Sequence, residues 1–164
     1  AEAGGHQVRT LHIAELDFPI LRSRDDWMSQ PPCNDILRAQ TDVTWADHVV
    51  LIHPLWLGAM PALLKGFLEQ VLRPGFAIES GGRFGWKRRL QGKSARVIVT
   101  MGMPGLAYRW FYRAHSLKSL ERNILKFCGI RPVRAFVIGM VENMPERRLN
   151  RWLVRVRELG RRGR

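Results

Sequence analysis

The sequence predicts an α/β protein: a doubly wound parallel sheet in three α/β/α layers. Two observations carry that prediction. Three runs, "HVVLIHP" (His48–Pro54), "ARVIVTM" (Ala95–Met101) and "VRAFVIGMV" (Val133–Val141), are almost continuously apolar and rich in valine and isoleucine. That composition suits strands covered on both faces of a parallel sheet. Between them lie stretches with apolar residues at helical spacing, and alternation of strands with helices defines the class. A fourth run, "VRTLHI" (Val8–Ile13), alternates apolar with polar residues and is also read as a strand.

The helices follow in chain order. Asn34 or Asp35 can cap a helix running to about Ala46, with Ile36, Leu37, Gln40 and Val43 near one face. Pro61 suits a first helical position, and Leu63, Leu64, Phe67, Leu68, Val71 and Leu72 form the apolar stripe behind it. Ser116 to Phe127 continues the pattern with Leu117, Leu120, Ile124 and Phe127, and Gly129 supplies its C-cap. The last helix follows Pro145; Leu149, Trp152, Leu153, Val156 and Leu159 share one face, expected to pack on the core. Arg73–Ser94 is the one long irregular insertion, rich in glycine, arginine and aromatics, and such loops are usually functional or mobile.

A chain of 164 residues suits a single domain over 1–164. Its 46% hydrophobic content excludes a largely disordered polymer. No apolar run approaches the roughly eighteen residues of a membrane-spanning helix, and no secretory signal pattern is present. Cys33 and Cys128 have neither metal-ligand nor redox spacing. The expectation is a soluble, cytoplasmic protein. Charge is the unusual feature, with 27 Lys+Arg against 14 Asp+Glu and arginines crowding Glu146–Arg164. Without an aromatic-interleaved basic motif, this reads as the solvated face of a terminal helix, and nucleic acid is not an expected partner. Peripheral contact with an anionic membrane stays open.

Ligands of open parallel sheets bind outside the carboxyl ends of the strands. Two loops there combine glycine with large apolar side chains: Pro54–Pro61 ("PLWLGAMP") and Thr100–Gly105 ("TMGMPG"). Glycine lets backbone N–H groups approach a ligand closely. Leu55, Trp56, Leu57, Met101 and Met103 offer a flat apolar cradle, and together these suit a planar heteroaromatic ring better than a phosphate. Ordinary turn chemistry with core packing is the alternative. No G-x-S-x-G elbow, Walker loop or G-x-G-x-x-G fingerprint exists. His6, His12, His48, His53 and His115 show no metal spacing, so no metal is expected.

The segment "HPLWLGAMPALLKGFLEQVLRPGFAI", followed by "GKSARVIVTMGMPGLAYRW" and "FCGI", resembles the flavodoxin-like NAD(P)H:quinone oxidoreductases. That family includes the modulator-of-drug-activity and potassium-efflux ancillary proteins, and the resemblance spans about Gly5 to Val141. It implies a flavin, FMN or FAD, with NAD(P)H as co-substrate. Pro54, Leu55, Trp56, Leu57 and Gly58 would line the polar edge of the ring through backbone N–H groups. Thr100, Met101, Gly102 and Met103 would support its other side and pyrimidine end. Tyr108 matches a tyrosine that stabilises charge on the reduced ring. The family's assisting histidine falls on Ala114, with His115 beside it. The implied reaction is ping-pong hydride transfer through flavin N5 to a quinone or similar acceptor, in a homodimer whose pocket forms at the subunit interface. A non-catalytic regulatory or basic surface-binding protein, such as a transporter ancillary subunit, is the alternative.

In the family pattern, "AEAGGHQVRTLHIAELDFP" matches the end of the first helix and the second strand. The first strand, its phosphate loop and most of the first helix find no counterpart in the sequence. Val8–Ile13 is therefore expected either to pair directly with His48–Pro54 or to hang with exposed ladder groups.

Overall fold

The computed structural model describes residues 1–81 and 85–163. The continuous apolar runs form β1 (His48–Pro54), β4 (Ser94–Met101) and β5 (Val133–Gly139), a parallel sheet in the order β1-β4-β5. Register places Val50, Arg96 and Arg134 in one row and Pro54 beside Thr100. The insertion Arg73–Ser94, read as irregular, holds a small antiparallel hairpin of β2 (Ile78–Ser80) and β3 (Trp86–Arg88). Gly82, Arg83 and Phe84 of that insertion lie outside the described residues.

Because strand side chains alternate between faces, the central strand splits its residues between two layers. Ala95, Val97, Val99 and Met101 join Val137 in the main core, under α2 (Asn34–Trp45) and α3 (Ala62–Val71). The same layer holds α4 (Gly105–Trp110), α5 (His115–Ser119), a π-helical turn (Leu120–Leu125) and α6 (Lys126–Cys128). Arg96, Ile98 and Phe136 face the other way, where Trp152 of α7 (Glu146–Arg161) meets Phe136 edge-on at 5.2 Å. This is the three-layer α/β/α arrangement expected.

Several local readings change. Val8–Ile13 is not a strand; of the two outcomes expected for it, pairing with β1 does not occur. Alternation alone also describes an extended strap whose every second side chain is anchored. Leu11 and Ile13 pack on the core, while Arg9 reaches Asp42 at 2.8 Å and stacks 4.3 Å from the Trp45 ring centre. The strap continues through α1 (Arg24–Met28), whose Ser23–Asp26 capping box fixes its start. Buried polar side chains then lash it to α3. Gln70 donates to the Pro19 carbonyl at 2.7 Å, and the Arg73 guanidinium donates to the Asp26 and Trp27 carbonyls.

Helix starts also shift by a residue. Cys33 and Pro61 occupy the N-cap positions of α2 and α3. Asp35 caps nothing; its Oδ2 accepts from the Asp17 N–H instead, at 2.8 Å. On α7 the expected packing face is only half used. Trp152, Val156 and Leu159 are partly buried, but Leu149 and Leu153 are exposed. No residue of α7 is fully buried. On the same side of the sheet, Val50 and Ile52 of β1 are exposed, and no backbone group reaches β1's outer edge among the described residues.

Candidate active site

Both glycine loops leave the carboxyl ends of neighbouring strands, β1 and β4, and a 2.7 Å bond from Leu55 N–H to the Thr100 carbonyl ties them together. The first loop then makes a tight turn, in which Trp56 and Ala59 exchange both backbone hydrogen bonds at 2.9 Å. Its two central residues, Leu57 (φ 45) and Gly58 (φ 79), both occupy the left-handed region. Glycine adopts this freely; leucine does so at a cost of roughly 1–2 kcal/mol. Such strain in an exposed turn marks a candidate site. The Leu57 side chain stands wholly in solvent and Trp56 is 63% exposed.

These bonds narrow the expected ring edge. Leu55 and Trp56 spend their N–H groups inside the protein, so neither can offer one to a ligand. Leu57 and Gly58 make no such bond among the described residues, and a Cβ built on Gly58 meets nothing within 4 Å. In the second loop Met101 is buried in the core, whereas the N–H groups of Gly102 and Met103 are unspent among the described residues. That loop is braced by the chain leaving β5. Met140 and Val141 N–H donate to the Met103 and Met101 carbonyls at 3.2 Å. Gly139 is needed at this crossing, because a Cβ there would lie 2.6 Å from the Met103 oxygen.

Tyr108 does not overhang the loops. It is 2% exposed, and its hydroxyl sits 2.8 Å from Ser116 Oγ while accepting the Leu117 N–H at 3.1 Å. The expected charge-stabilising tyrosine is thus a core residue pinning α5 to α4. The physical reason is the break between those helices: Arg113 (φ 49) and Ala114 (φ 48) are consecutive left-handed residues. They fold the chain back so that Ala114 N–H reaches the Tyr108 carbonyl at 3.0 Å. Ala114 is buried, and His115 is exposed at the start of α5. Tyr112, half exposed and packed 5.0 Å from the Phe111 ring, shares that exposed arm with His115, whose N–H bonds the Tyr112 carbonyl.

Sequence reasoning missed one residue here, Glu142, whose Oε1 would lie 2.9 Å from a Cβ built on Gly102. Glu142 follows a third parallel strand, so the rule that singled out the other two loops applied to it as well. Directly below, His53 is buried with Nδ1 on the Pro54 carbonyl at 2.9 Å and Nε2 unpartnered. Burial holds its pKa below the usual imidazole value. No cluster of three metal-ligand side chains occurs among the described residues, and no helix there is long and apolar enough to cross a membrane. A groove of about 500 Å³ runs between the strap, α3 and α6, away from the two loops, and the exposed Trp56 and Leu57 make the loops an open shelf.

An open three-layer sheet with glycine loops at the carboxyl ends of adjacent strands defines a class of ligand-binding α/β proteins. The family model for the flavodoxin-like fold matches residues 1–159, and the chain belongs to that family. It is 33% identical over 108 residues to an uncharacterized NAD(P)H oxidoreductase of Haemophilus influenzae, a match covering 64% of this chain and 52% of that protein. It is 41% identical over 76 residues to the glutathione-regulated potassium-efflux system ancillary protein KefG of Escherichia coli, covering 46% and 39%. The chain thus spans about half the length, or less, of the curated relatives it matches. Among solved structures it resembles Smu.1420 from Streptococcus mutans, with 31% identity, 90% of this chain and 75% of that one covered, and a TM-score of 0.70.

Proposed function

We propose that this chain carries the ring-binding shelf of a flavin-dependent NAD(P)H oxidoreductase that reduces a quinone or similar acceptor by a ping-pong cycle. The carrying observation is the pair of bonded loops with four unspent N–H groups, on Leu57, Gly58, Gly102 and Met103. Similarity to an NAD(P)H oxidoreductase supports the reading. The residues fit a planar ring with a polar edge: the N–H groups meet its heteroatoms, and Trp56 and Leu57 supply apolar surface without a side chain blocking Gly58. A bound flavin would supply the hydride-accepting N5, chemistry that belongs to the cofactor. Tyr112 and His115, exposed on the arm that follows the second loop, replace Tyr108 as the candidate donors of protons or hydrogen bonds to a bound ring. The Glu142 carboxylate beside Gly102 disfavours further negative charge there, which suits a neutral ring edge better than a phosphate.

The shelf is open, so a second surface has to close it. Leu106, Trp110 and Phe111 are 72%, 81% and 80% exposed on the arm next to it, and a homodimer that covers this arm completes the acceptor pocket. Titration of the purified chain with FMN and FAD, followed by flavin fluorescence, tests the cofactor. Steady-state oxidation of NADH or NADPH at varied quinone concentration should then give parallel double-reciprocal lines. Unchanged flavin fluorescence in the presence of excess protein would sink the reading.

A further inference from the structure

At the opposite end of the sheet, three cationic or potentially cationic side chains meet without a counter-ion. Arg96 of β4 and Arg134 of β5 are direct cross-strand neighbours, and His48 of β1 lies on the same face, paired in register with Ser94. Arg96 is only 7% exposed, and among the described residues neither its Nε nor the buried Nε2 of His48 has a partner, while His48 Nδ1 lies 2.7 Å from Ser94 Oγ. No carboxylate lies within 4 Å of either guanidinium among the described residues. From α7, Arg155 adds another guanidinium over Phe136, the next residue on this face of β5. The acid of α7 nearest this end, Glu158, is already bound to Arg162 at 2.7 Å.

Buried charge of this kind is costly unless paired, and like charges directly opposite on neighbouring strands are destabilising. The protein solves the same difficulty differently at Arg73, whose guanidinium is satisfied by two carbonyls and Gln70 Oε1. Arg96 has no such solution. Burial and the Arg134 charge lower the Arg96 pKa, and burial followed by the Arg96 and Arg134 charges lowers that of His48.

We propose that His48, Arg96 and Arg134 form a binding site for a phosphate-type oxyanion, separate from the ring shelf. Guanidinium forks match the oxygen spacing of phosphate, and a neutral imidazole adds a hydrogen-bond donor. The site stands about 20 Å from the shelf, six strand residues at roughly 3.3 Å each. It therefore binds its ligand whether or not the shelf holds a flavin. Val50, exposed in the same row as Arg96, leaves the site open on the β1 side.

Thermal unfolding of the chain at fixed ionic strength tests this, with inorganic phosphate, glycerol phosphate, phosphatidic-acid vesicles and chloride as separate arms. Phosphate or its ester should raise Tm by roughly 5–10 °C at a hundredfold its dissociation constant, relative to chloride. Arg96→Met keeps the apolar stem and removes the buried charge, so it should unfold at or above the wild-type Tm in chloride and lose the phosphate response. Arg134 is exposed, so Arg134→Gln keeps the fold under all conditions and should weaken phosphate binding about tenfold. A response to vesicles alone, lost in both variants, would identify the oxyanion as a lipid headgroup. No response in any arm, or an equal response in Arg96→Met or Arg134→Gln, would overturn the site.

Discussion

Replacing Tyr108 by phenylalanine separates a structural tyrosine from a catalytic one. The ring stays, but the hydroxyl that neighbours Ser116 Oγ at 2.8 Å and accepts the Leu117 N–H at 3.1 Å is lost. Each bond contributes about 0.5–1.5 kcal/mol, and an amide left without an acceptor in a partly buried setting costs about 1–3 kcal/mol. A combined loss of about 1–3 kcal/mol corresponds to a Tm drop of roughly 2–10 °C for a domain of this size. Urea and thermal denaturation, followed by circular dichroism, measure it directly. The flavin-loaded variant should turn over at the wild-type rate per folded molecule. A variant with unchanged Tm and turnover reduced tenfold or more would refute the placement of the hydroxyl in the core.

Gly139→Ala drives a methyl group into the Met103 carbonyl and the Gly105 amide, both backbone; it should destabilise the protein by about 3 kcal/mol and weaken flavin binding, read by denaturation and titration. Leu57→Gly removes left-handed strain and should raise stability by up to about 1 kcal/mol in urea unfolding, with no loss of the turn. Burial depresses the pKa of both His48 and His53 in the folded state. The unfolded chain therefore binds more protons, and stability should be full above pH ~6.5 and fall as pH drops below it. The double substitution His48→Gln/His53→Gln should flatten that dependence in denaturation curves measured from pH 8 to 5.

The sheet was legible because the central strand β4 is buried on both faces, as its continuous apolar run implies, whereas the equally apolar run of β1 is covered on one face only and leaves Val50 and Ile52 exposed. Val8–Ile13 shows the limit of the same signal. An alternating segment needs a partner strand to become one, and Arg9 found Asp42 and Trp45 on α2 instead. The two loops were legible as turns, but hydrogen bonds decide which N–H groups stay free, and no residue type announces that Leu55 donates to Thr100. Matching Tyr108 to the family's tyrosine gave no sign that its hydroxyl turns into the core, because the left-handed pair Arg113–Ala114, which folds Ser116 and Leu117 back onto it, contains no glycine to reveal the break.

The π-helical turn at Leu120–Leu125 has a consequence for any future change in chain length. Such a turn holds one residue more than the α-helix around it, the geometry left by a one-residue insertion. Deleting Asn123 would let the segment rewind as a regular α-helix while its flanks keep their relative orientation. The upstream flank is fixed by the Tyr108 hydroxyl, and the downstream flank by Leu90 N–H on the Cys128 carbonyl at 3.0 Å. Both anchors are kept by that one deletion, so it should be tolerated, whereas a deletion in the regular winding on either side rotates one flank against the other by about 100°.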